Sequence, residues 1–351
     1  MTLVLGAAGL VTLYSAVTSG TSTLQNSLCY RQLMWFGVGL VAMIISFLFN
    51  YKTLDRWSYV IWGGCILLLI AVLFFGKYVG GSRRWIAIGP LTMQPSEPVK
   101  IAVIIALARY YSRVADTRGL TLRQLLAPML LVAMPFALIV RQPDLGTAML
   151  LVLIAASITV FVKIERRSLI SIVSIGAVTI PLVWHFLKGY QKQRILTFLN
   201  PDRDPLGAGY HIIQSKIAIG SGMLTGKGYL KGTQNALSFL PEQHTDFIFS
   251  VLAEEWGFFG TVLVLVAFAL LLVWSLNICL RCRDPFGTIL TFGVTALMFW
   301  QIFINIGMVM GLMPVVGVPL PLVSYGGSSM VTMCLCVGIL LNVSMRRFMY
   351  E

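Results

Sequence analysis

Long apolar stretches alternate with short polar segments along most of the chain. Roughly 20 apolar residues suffice to cross the hydrocarbon core of a bilayer. Ten stretches approach or exceed that length: about 2–18, 32–50, 58–76, 97–112, 125–141, 147–163, 169–187, 247–278, 287–311 and 328–345. The pattern predicts an all-α, polytopic membrane protein with about ten transmembrane helices, forming a single membrane domain over residues 1–351.

Basic residues between these stretches predict an orientation. They concentrate in alternate connections and after the last stretch, at Lys52 and Arg56, 109–123, 163–167, 281–283 and 346–347. By the positive-inside rule this side is cytoplasmic, so both termini are expected there. The composition agrees with a bilayer location, since 58% of the residues are hydrophobic and only 11% are charged.

One connection is much longer than the others. Residues 188–246 precede the eighth stretch and are expected outside the cytoplasm, where a loop of this length is usually functional. Within it, Tyr210 to Ile219 predicts a short amphipathic helix on the outer membrane surface. Gly220 to Gly228 is rich in glycine but lacks the preceding strand and the ending of a phosphate-binding loop, so a flexible turn is predicted.

The formal net charge is +13, and many cations fall on the predicted outer side. One interpretation is an anionic ligand there, with phosphate as the obvious group. The other is that the long loops cross irrespective of charge and meet anionic lipid headgroups. Both stay open, whereas the topology excludes nucleic acid as a partner. The six cysteines and three histidines form no metal-binding motif, and Cys279 and Cys282 are interpreted as buried thiols.

The run Leu237 to Phe249, L-S-F-L-P-E-Q-H-T-D-F-I-F, contains the most informative acid of the chain. Pro241 is expected to end the polar loop and Thr245 to cap the next helix, which places Asp246 in the first helical turn. A carboxylate at that boundary is suited to act as a general base. The alternative is that it complements the helix dipole, which its position alone favours.

Two further helix starts carry acids. Ser96, Glu97 and Pro98 form a helix-start signature, and Lys100 lies three residues after Glu97, so the two charges can pair on one face. The pair is either a cap with its ion pair or a group that orients substrate or supports Asp246. Asp144 is interpreted as a helix cap.

The apolar run Pro314 to Ser329 is rich in proline and glycine, so it cannot form a regular helix. Irregular backbone at membrane depth must pack in protein or line a polar cavity. Ser324, Tyr325 and the N–H groups of Gly326 and Gly327 are therefore candidates for binding an anion or a sugar.

Together these segments resemble the SEDS family (shape, elongation, division and sporulation) of bacterial cell-wall polymerases. The run from Gly226 to Gln234 favours the rod-shape branch over the division branch. The matching motifs extend over nearly the whole chain: Thr12–Ala16, Arg83–Ile86, Gln94–Lys100, Gln142–Ala148, Arg194–Pro201, Gln214–Gly222, Gly226–Gln234, the run around Asp246, and Gly317–Ser328.

The resemblance implies a ten-helix peptidoglycan glycosyltransferase of the bacterial cytoplasmic membrane, with its active site on the outer face. It would transfer glycan from lipid II, an undecaprenyl-diphosphate donor, to the 4-hydroxyl of an acceptor sugar, for cell-wall elongation and rod shape. The family's catalytic acid falls on Asp246, and its helix-start pair falls on Glu97 and Lys100. The other substrate-binding candidates are Arg84, Arg194, Lys216, Gln214, His244, Ser324, Gly326 and Gly327.

The resemblance also implies a class B penicillin-binding protein as a transpeptidase partner. A divalent cation, Mg or Mn, is a possible cofactor for the departing diphosphate, and no organic cofactor is expected. Two alternatives stay open: a lipid II flippase or transporter, and a non-catalytic membrane scaffold. A transporter would place polar groups near the bilayer midplane, whereas the key acids, Asp246, Glu97 and Asp144, lie at predicted outer helix starts.

Overall fold

Helices dominate the protein in this computed structural model, which describes residues 1–18, 25–79, 82–88, 91–114, 119–186, 189–200, 208–237 and 243–346. A helix forms at each of the ten stretches that were predicted to cross the membrane. They are α1 (Thr2–Thr18), α2 (Gln25–Leu48), α3 (Tyr51–Phe75), α4 (Ser96–Val114), α5 (Leu122–Arg141), α6 (Leu145–Phe161), α7 (Arg166–Phe186), α11 (Ile248–Arg281), α12 (Pro285–Val309) and α13 (Gly327–Arg346).

Side chains fix the start of several helices. Asn50 accepts a hydrogen bond from Lys52 N before α3, and Asp144 accepts one from Thr147 N at 3.2 Å before α6. Asp284 accepts a bond from Gly287 N at 2.9 Å at the start of α12. Each bond satisfies an N–H that has no partner within its helix. The interpretation of Asp144 as a cap is thus confirmed.

Six helices in the described part of the chain are long and apolar enough to cross a membrane: α2 over Leu28–Leu48, α3, α5, α11, α12 and α13. The helices α1 and α6 are apolar but shorter. These lengths confirm a helical, polytopic membrane protein. The count of ten spans and the side on which each terminus lies stay predictions.

A small antiparallel sheet follows α3 and was not predicted. It contains β1 (Lys77–Val79), β2 (Ser82–Ile88) and β3 (Leu91–Met93), in the order β1-β2-β3. Trp85 pairs with Lys77, and Ile86 pairs with Met93. Strands this short give too little alternation in the sequence for a strand prediction.

The segment before α11 is more helical than expected. It contains α8 (Gly189–Leu199), α9 (Ala208–Ser221) and the single turn α10 (Thr233–Ala236). The helix predicted at Tyr210 to Ile219 is confirmed within α9. One face of α9 packs against protein, because the fully buried Ser215 hydroxyl donates to Val309 O and lies 2.9 Å from the Ser250 hydroxyl. Its position on the membrane surface stays a prediction.

The chain divides into two compact units. The first contains Met1–Met34, Ile170–Leu270 and Gln301–Gly326. The second contains Trp35–Leu169, Leu271–Trp300 and Gly327–Glu351. Asp246 belongs to the first unit, and the Glu97–Lys100 pair belongs to the second.

In the first unit, α11 is broken at Gly257, whose φ of 64° and ψ of −160° are not helical. The glycine-rich loop after α9 fills the break. Lys227 N donates a hydrogen bond to Glu254 O, and Gly228 N donates one to Glu255 O, both at 3.0 Å. The loop thereby satisfies carbonyl groups that the interrupted helix leaves without partners.

The same loop completes the other side of the break. Phe258 N donates to Met223 O at 2.9 Å, and Phe259 N donates to Leu224 O at 3.2 Å. Gly226 packs so closely that a side chain at this position would collide with the helix backbone. The prediction of a flexible turn is therefore wrong, because the loop is bonded to both halves of α11.

In the second unit, the connection between α2 and α3 is held by Asn342 of α13. Its side-chain amide donates to the carbonyls of Ser46 and Phe47 at 3.0 and 2.7 Å, and also to Phe49 O. Its carbonyl oxygen accepts a bond from Tyr51 N. Asn342 is buried, so these bonds replace the water that the connection would otherwise require.

Candidate active site

Asp246 lies in a turn formed by residues 243–247. The helix α11 begins at Ile248, directly after this turn. The prediction that Asp246 belongs to the first helical turn is wrong by two residues. Asp246 is half-buried, whereas Phe247 and Ile248 are buried. The carboxylate therefore stands at the border between an accessible surface and the core. Pro241 lies outside the described residues.

The segment 314–326 holds the first part of this turn. Tyr325 N donates to His244 O at 3.0 Å, and the Ser324 hydroxyl donates to Thr245 O at 2.6 Å. The Ser324 oxygen in turn accepts a bond from Leu320 N at 2.8 Å. Residues 314–320 form neither helix nor strand, and 318 and 320–324 are buried, so the prediction of irregular backbone packed in protein is confirmed.

Asn305 of α12 holds the last part of the turn. Its Nδ2 donates to the backbone carbonyl of Asp246 at 3.0 Å and to that of Val318 at 2.8 Å. Consecutive carbonyls of residues 244, 245 and 246 thus each accept a bond from a different donor. The backbone that carries the Asp246 carboxylate is fixed at three points.

Gly317 leaves room beside this carboxylate. A Cβ atom at Gly317 would lie 3.3 Å from Asp246 Oδ2, tighter than most contacts of real Cβ atoms. The φ of Gly317 is 72°, in the left-handed region that favours glycine. Both the conformation and the space at this position therefore favour a residue without a side chain.

The helix α9 brings further candidates to the same unit. The side chain of Lys216 packs against Gly311, which follows α12, and the ring of His211 lies 6.1 Å from that of Phe247. Lys216 is exposed, so its ammonium group is accessible to a ligand. Gln214 is half-buried on the same helix.

The candidate glycines near the end of the segment have protein contacts. Gly326 N donates to the side-chain oxygen of Gln32 at 3.2 Å, and the Gln32 amide donates to Ser324 O at 3.3 Å. Gly327 begins α13 and packs closely on the indole of Trp35. The N–H of Gly326 is therefore engaged within the protein. Its role in binding an anion or a sugar stays a prediction, as does that of Gly327.

In the second unit, the ion pair predicted between Glu97 and Lys100 is confirmed. The Lys100 Nζ lies 2.8 Å from Glu97 Oε1, and the two side chains are only 1% and 5% exposed. The second Glu97 oxygen is buried and has no hydrogen-bond partner among the described residues. Burying two charges costs desolvation free energy, which the pair offsets only while both partners are present.

The cations expected to bind diphosphate are placed differently. Arg84 lies on β2, and its guanidinium donates to the carbonyls of Gln142 (2.8 Å) and Pro143. Arg84 therefore holds the turn before α6, and its contact with diphosphate stays a prediction. Arg194 lies in α8, and its side chain is outside the described part of the structure.

The described side chains do not form a metal site on their own. Nowhere among them do three His, Cys, Asp or Glu groups converge as ligands. The expected divalent cation therefore stays a prediction, with no ready set of protein ligands among the described residues. The cysteines are free thiols, and Cys279 donates to Thr288 O.

Sequence reasoning missed Asn305 and Gln32. Both are fully or almost fully buried, at 0% and 1% exposure, and both bind backbone groups of the site. The available signal was a polar side chain within an apolar helix, which is costly unless it meets a partner.

Comparisons with known proteins identify the family. The family model FTSW_RODA_SPOVE, described as cell cycle protein, matches residues 1–348. The peptidoglycan glycosyltransferase MrdB of Escherichia coli K12 is 42% identical over 338 residues, 96% of this chain and 91% of the relative. The peptidoglycan glycosyltransferase RodA of Treponema pallidum is 33% identical over 98% of this chain and 96% of its own length.

Solved structures show the same fold. A chain from a peptidoglycan synthase complex that coordinates polymerization and crosslinking superposes with a TM-score of 0.82 at 31% identity, covering 99% of this chain and 97% of that one. The crystal structure of RodA from Thermus thermophilus gives a TM-score of 0.71 at 27% identity, covering 99% of this chain and 95% of that one.

Proposed function

The chain belongs to the FtsW/RodA/SpoVE family of cell cycle proteins, and we infer that it is a peptidoglycan glycosyltransferase of a bacterial cytoplasmic membrane. One observation carries this conclusion: the match to relatives with this activity extends over 96% of the chain at 42% identity. The similarity to MrdB and RodA favours a role in cell shape and elongation. The donor is lipid II, whose lipid tail accounts for an enzyme embedded in the bilayer.

The reaction is an inverting displacement at the anomeric carbon of the donor sugar. The 4-hydroxyl of the acceptor attacks this carbon, its proton passes to the Asp246 carboxylate, and the bond between carbon and diphosphate oxygen breaks. The electron pair of that bond leaves with undecaprenyl diphosphate. One carboxylate base suffices, because the diphosphate is a good leaving group and needs no acid.

The geometry of the turn supports Asp246 as the base. Its backbone is held at three consecutive carbonyls, while its side chain is only half-buried and can meet a substrate hydroxyl. A base on fixed backbone in a half-buried residue meets the main requirement of general base catalysis, which is correct placement before proton transfer.

The departing diphosphate requires positive charge. Lys216 is the best-supported candidate, because its side chain is exposed in the unit that contains Asp246. Arg84 and Arg194 are further candidates. Glu97 and Lys100 are proposed to orient the substrate indirectly, since both side chains are buried. Gln214, His244, Ser324, Gly326 and Gly327 are the remaining members of the proposed binding set. A divalent cation, if required, would be held mainly by the substrate phosphates, as Mg²⁺ often is.

The proposed partner is a class B penicillin-binding protein, which would crosslink the new glycan. Its support is the similarity to a chain of a peptidoglycan synthase complex. With both termini in the cytoplasm, as the basic connections indicate, Asp246 would lie at the outer face where lipid II is delivered.

A polymerisation assay tests the activity. The purified protein is supplied with lipid II, with and without a partner whose own glycosyltransfer is disabled, and with and without a chelator. Glycan chains that depend on this protein are expected. If no chains form with a verified partner and metal present, the function is transport or scaffolding instead, and a liposome assay for lipid II movement separates those two.

A further inference from the structure

We propose that Asn305 is a positioning residue for the glycosyl transfer, acting through the backbone of Asp246. The inference rests on the proposed function of Asp246 as general base. Asn305 does not touch substrate in this proposal. Its contribution is to hold the one residue whose carboxylate must meet the acceptor hydroxyl.

The Nδ2 group of Asn305 is committed to backbone carbonyls, whereas its Oδ1 is buried and has no hydrogen-bond partner among the described residues. Its two Nδ2 hydrogens go to Asp246 O at 3.0 Å and to Val318 O at 2.8 Å. Asn305 is 0% exposed, so its side chain is shielded from water, whereas the Asp246 carbonyl belongs to a half-buried residue. The amide therefore ties the turn at Asp246 and the segment beside it to the same point of α12.

The bond to Asp246 fixes the carboxylate more directly than the other two. It ends on the carbonyl of Asp246 itself, whereas Ser324 and Tyr325 bind the carbonyls of the two preceding residues. Because Val318 follows Gly317, the same amide also fixes the backbone that leaves space beside Asp246 Oδ2. Loss of the amide would free both the backbone of Asp246 and the backbone at Gly317 and Val318 beside its carboxylate.

A small displacement at this position would have a large effect on the rate. Reacting groups must approach to about 3 Å in the correct direction, and a misplacement of about 1 Å costs on the order of 100-fold in rate. Removing the two donors also takes a hydrogen bond from the carbonyls of Asp246 and Val318, so the turn is expected to move toward other donors.

Asn342 provides a matched control. It is also a buried asparagine whose Nδ2 binds backbone carbonyls, those of Ser46, Phe47 and Phe49. An exchange of asparagine for aspartate removes the Nδ2 donor and introduces a buried carboxyl group at both positions. Only Asn305 contacts the proposed base.

The experiment compares wild type, Asn305→Asp, Asn342→Asp and Asp246→Asn in lipid II polymerisation by the full chain with its penicillin-binding protein. For Asn305→Asp, we expect kcat per folded protein to fall about 10- to 100-fold. The KM for lipid II should stay within about twofold, because no substrate contact is lost. Asn342→Asp should lose thermal stability but keep the wild-type kcat per folded protein.

Hydrogen–deuterium exchange gives a readout that does not depend on activity. Amides of residues 243–250 should exchange faster in Asn305→Asp than in wild type or Asn342→Asp. An unchanged kcat, or unchanged exchange in this segment, would overturn the positioning role. If wild type makes no chains, or Asp246→Asn makes as many, the proposed function fails, and the positioning role fails with it because there is no base to position.

Discussion

The Nζ of Lys227 lies 2.6 Å from Oε1 of Glu254, and this ion pair connects the glycine-rich loop to the part of α11 that precedes Gly257. The same carboxylate oxygen accepts bonds from Gln234 N at 3.0 Å and from the Thr233 hydroxyl at 3.2 Å. The side chain of Glu254 is 1% exposed, whereas that of Lys227 is 26% exposed. The buried Glu254 carboxylate therefore depends on Lys227 for charge compensation, whereas the Lys227 ammonium can be solvated without Glu254.

Replacing Lys227 should destabilise the protein more than replacing Glu254. Lys227→Met leaves a buried carboxylate without its cation, and we expect a loss of about 3 kcal/mol in the free energy of unfolding. Glu254→Gln keeps an acceptor oxygen and releases a lysine that can turn to solvent, so about 1 kcal/mol is expected. Denaturant unfolding in detergent micelles measures both. Equal losses, or a reversed order, would contradict this asymmetry.

Gly257→Ala should disrupt the break in α11. Its φ of 64° and ψ of −160° lie in a region that is essentially restricted to glycine, where a side chain costs about 1–3 kcal/mol. In addition, the new Cβ would overlap the backbone of residues 224–226. Gly63→Ala in α3 is the matched control, because nothing lies within 4 Å of its Cβ position. The control should gain about 0.5–1 kcal/mol from its helical conformation. If the melting temperature moved in the same direction for both variants, the claim that position 257 requires glycine would be wrong.

The sequence predicts the apolar helices well and the interruptions poorly. A stretch of apolar residues is sufficient evidence for α3 or α12, because helix is the only structure that satisfies each backbone group within one segment in lipid. The break at Gly257 leaves no such trace, since glycine also occurs within continuous membrane helices. Its cause is the loop around Gly226, which lies 31 residues earlier in the chain.

At the candidate active site, too, the sequence predicts some features and not others. The resemblance and the helix boundary identify Asp246, and the proline- and glycine-rich composition predicts the irregular segment beside it. The sequence does not reveal which donors hold the turn. Asn305 and Gln32 meet their partners only after distant segments have folded together, and nothing in the local pattern states where such an amide points.

Gly317→Ala should lower activity beyond its effect on stability. A methyl group there would lie 3.3 Å from Asp246 Oδ2 and crowd the position of the acceptor hydroxyl. We expect kcat/KM to fall about 10-fold or more. Gly119→Ala is the control for backbone strain, since Gly119 has a φ of 90° and does not contact Asp246. If polymerisation falls equally in both variants after correction for folded protein, crowding is not the cause.

The Glu97–Lys100 pair should matter for activity less than Asp246 does. Glu97→Gln and Lys100→Ala remove one charge each, so we expect a reduced polymerisation rate rather than a complete loss. Lys100→Ala should also destabilise the fold by about 3–5 kcal/mol, because Glu97 would be left buried and unpaired. Initial rates per folded protein separate the two effects. If the rates of both variants were unchanged, the pair would have only a structural role as the ion pair at the start of α4.

The most direct test of the proposed mechanism is the polymerisation rate of Asp246→Asn beside that of Asp284→Asn. Both changes replace one carboxylate oxygen by an amide nitrogen next to a helix start, and asparagine remains a good cap at Asp284. With lipid II and the partner present, Asp246→Asn should fold normally and lose about 100- to 10,000-fold in rate. Asp284→Asn should polymerise as wild type does. Glycan chains from a folded Asp246→Asn protein at the wild-type rate would contradict Asp246 as the base.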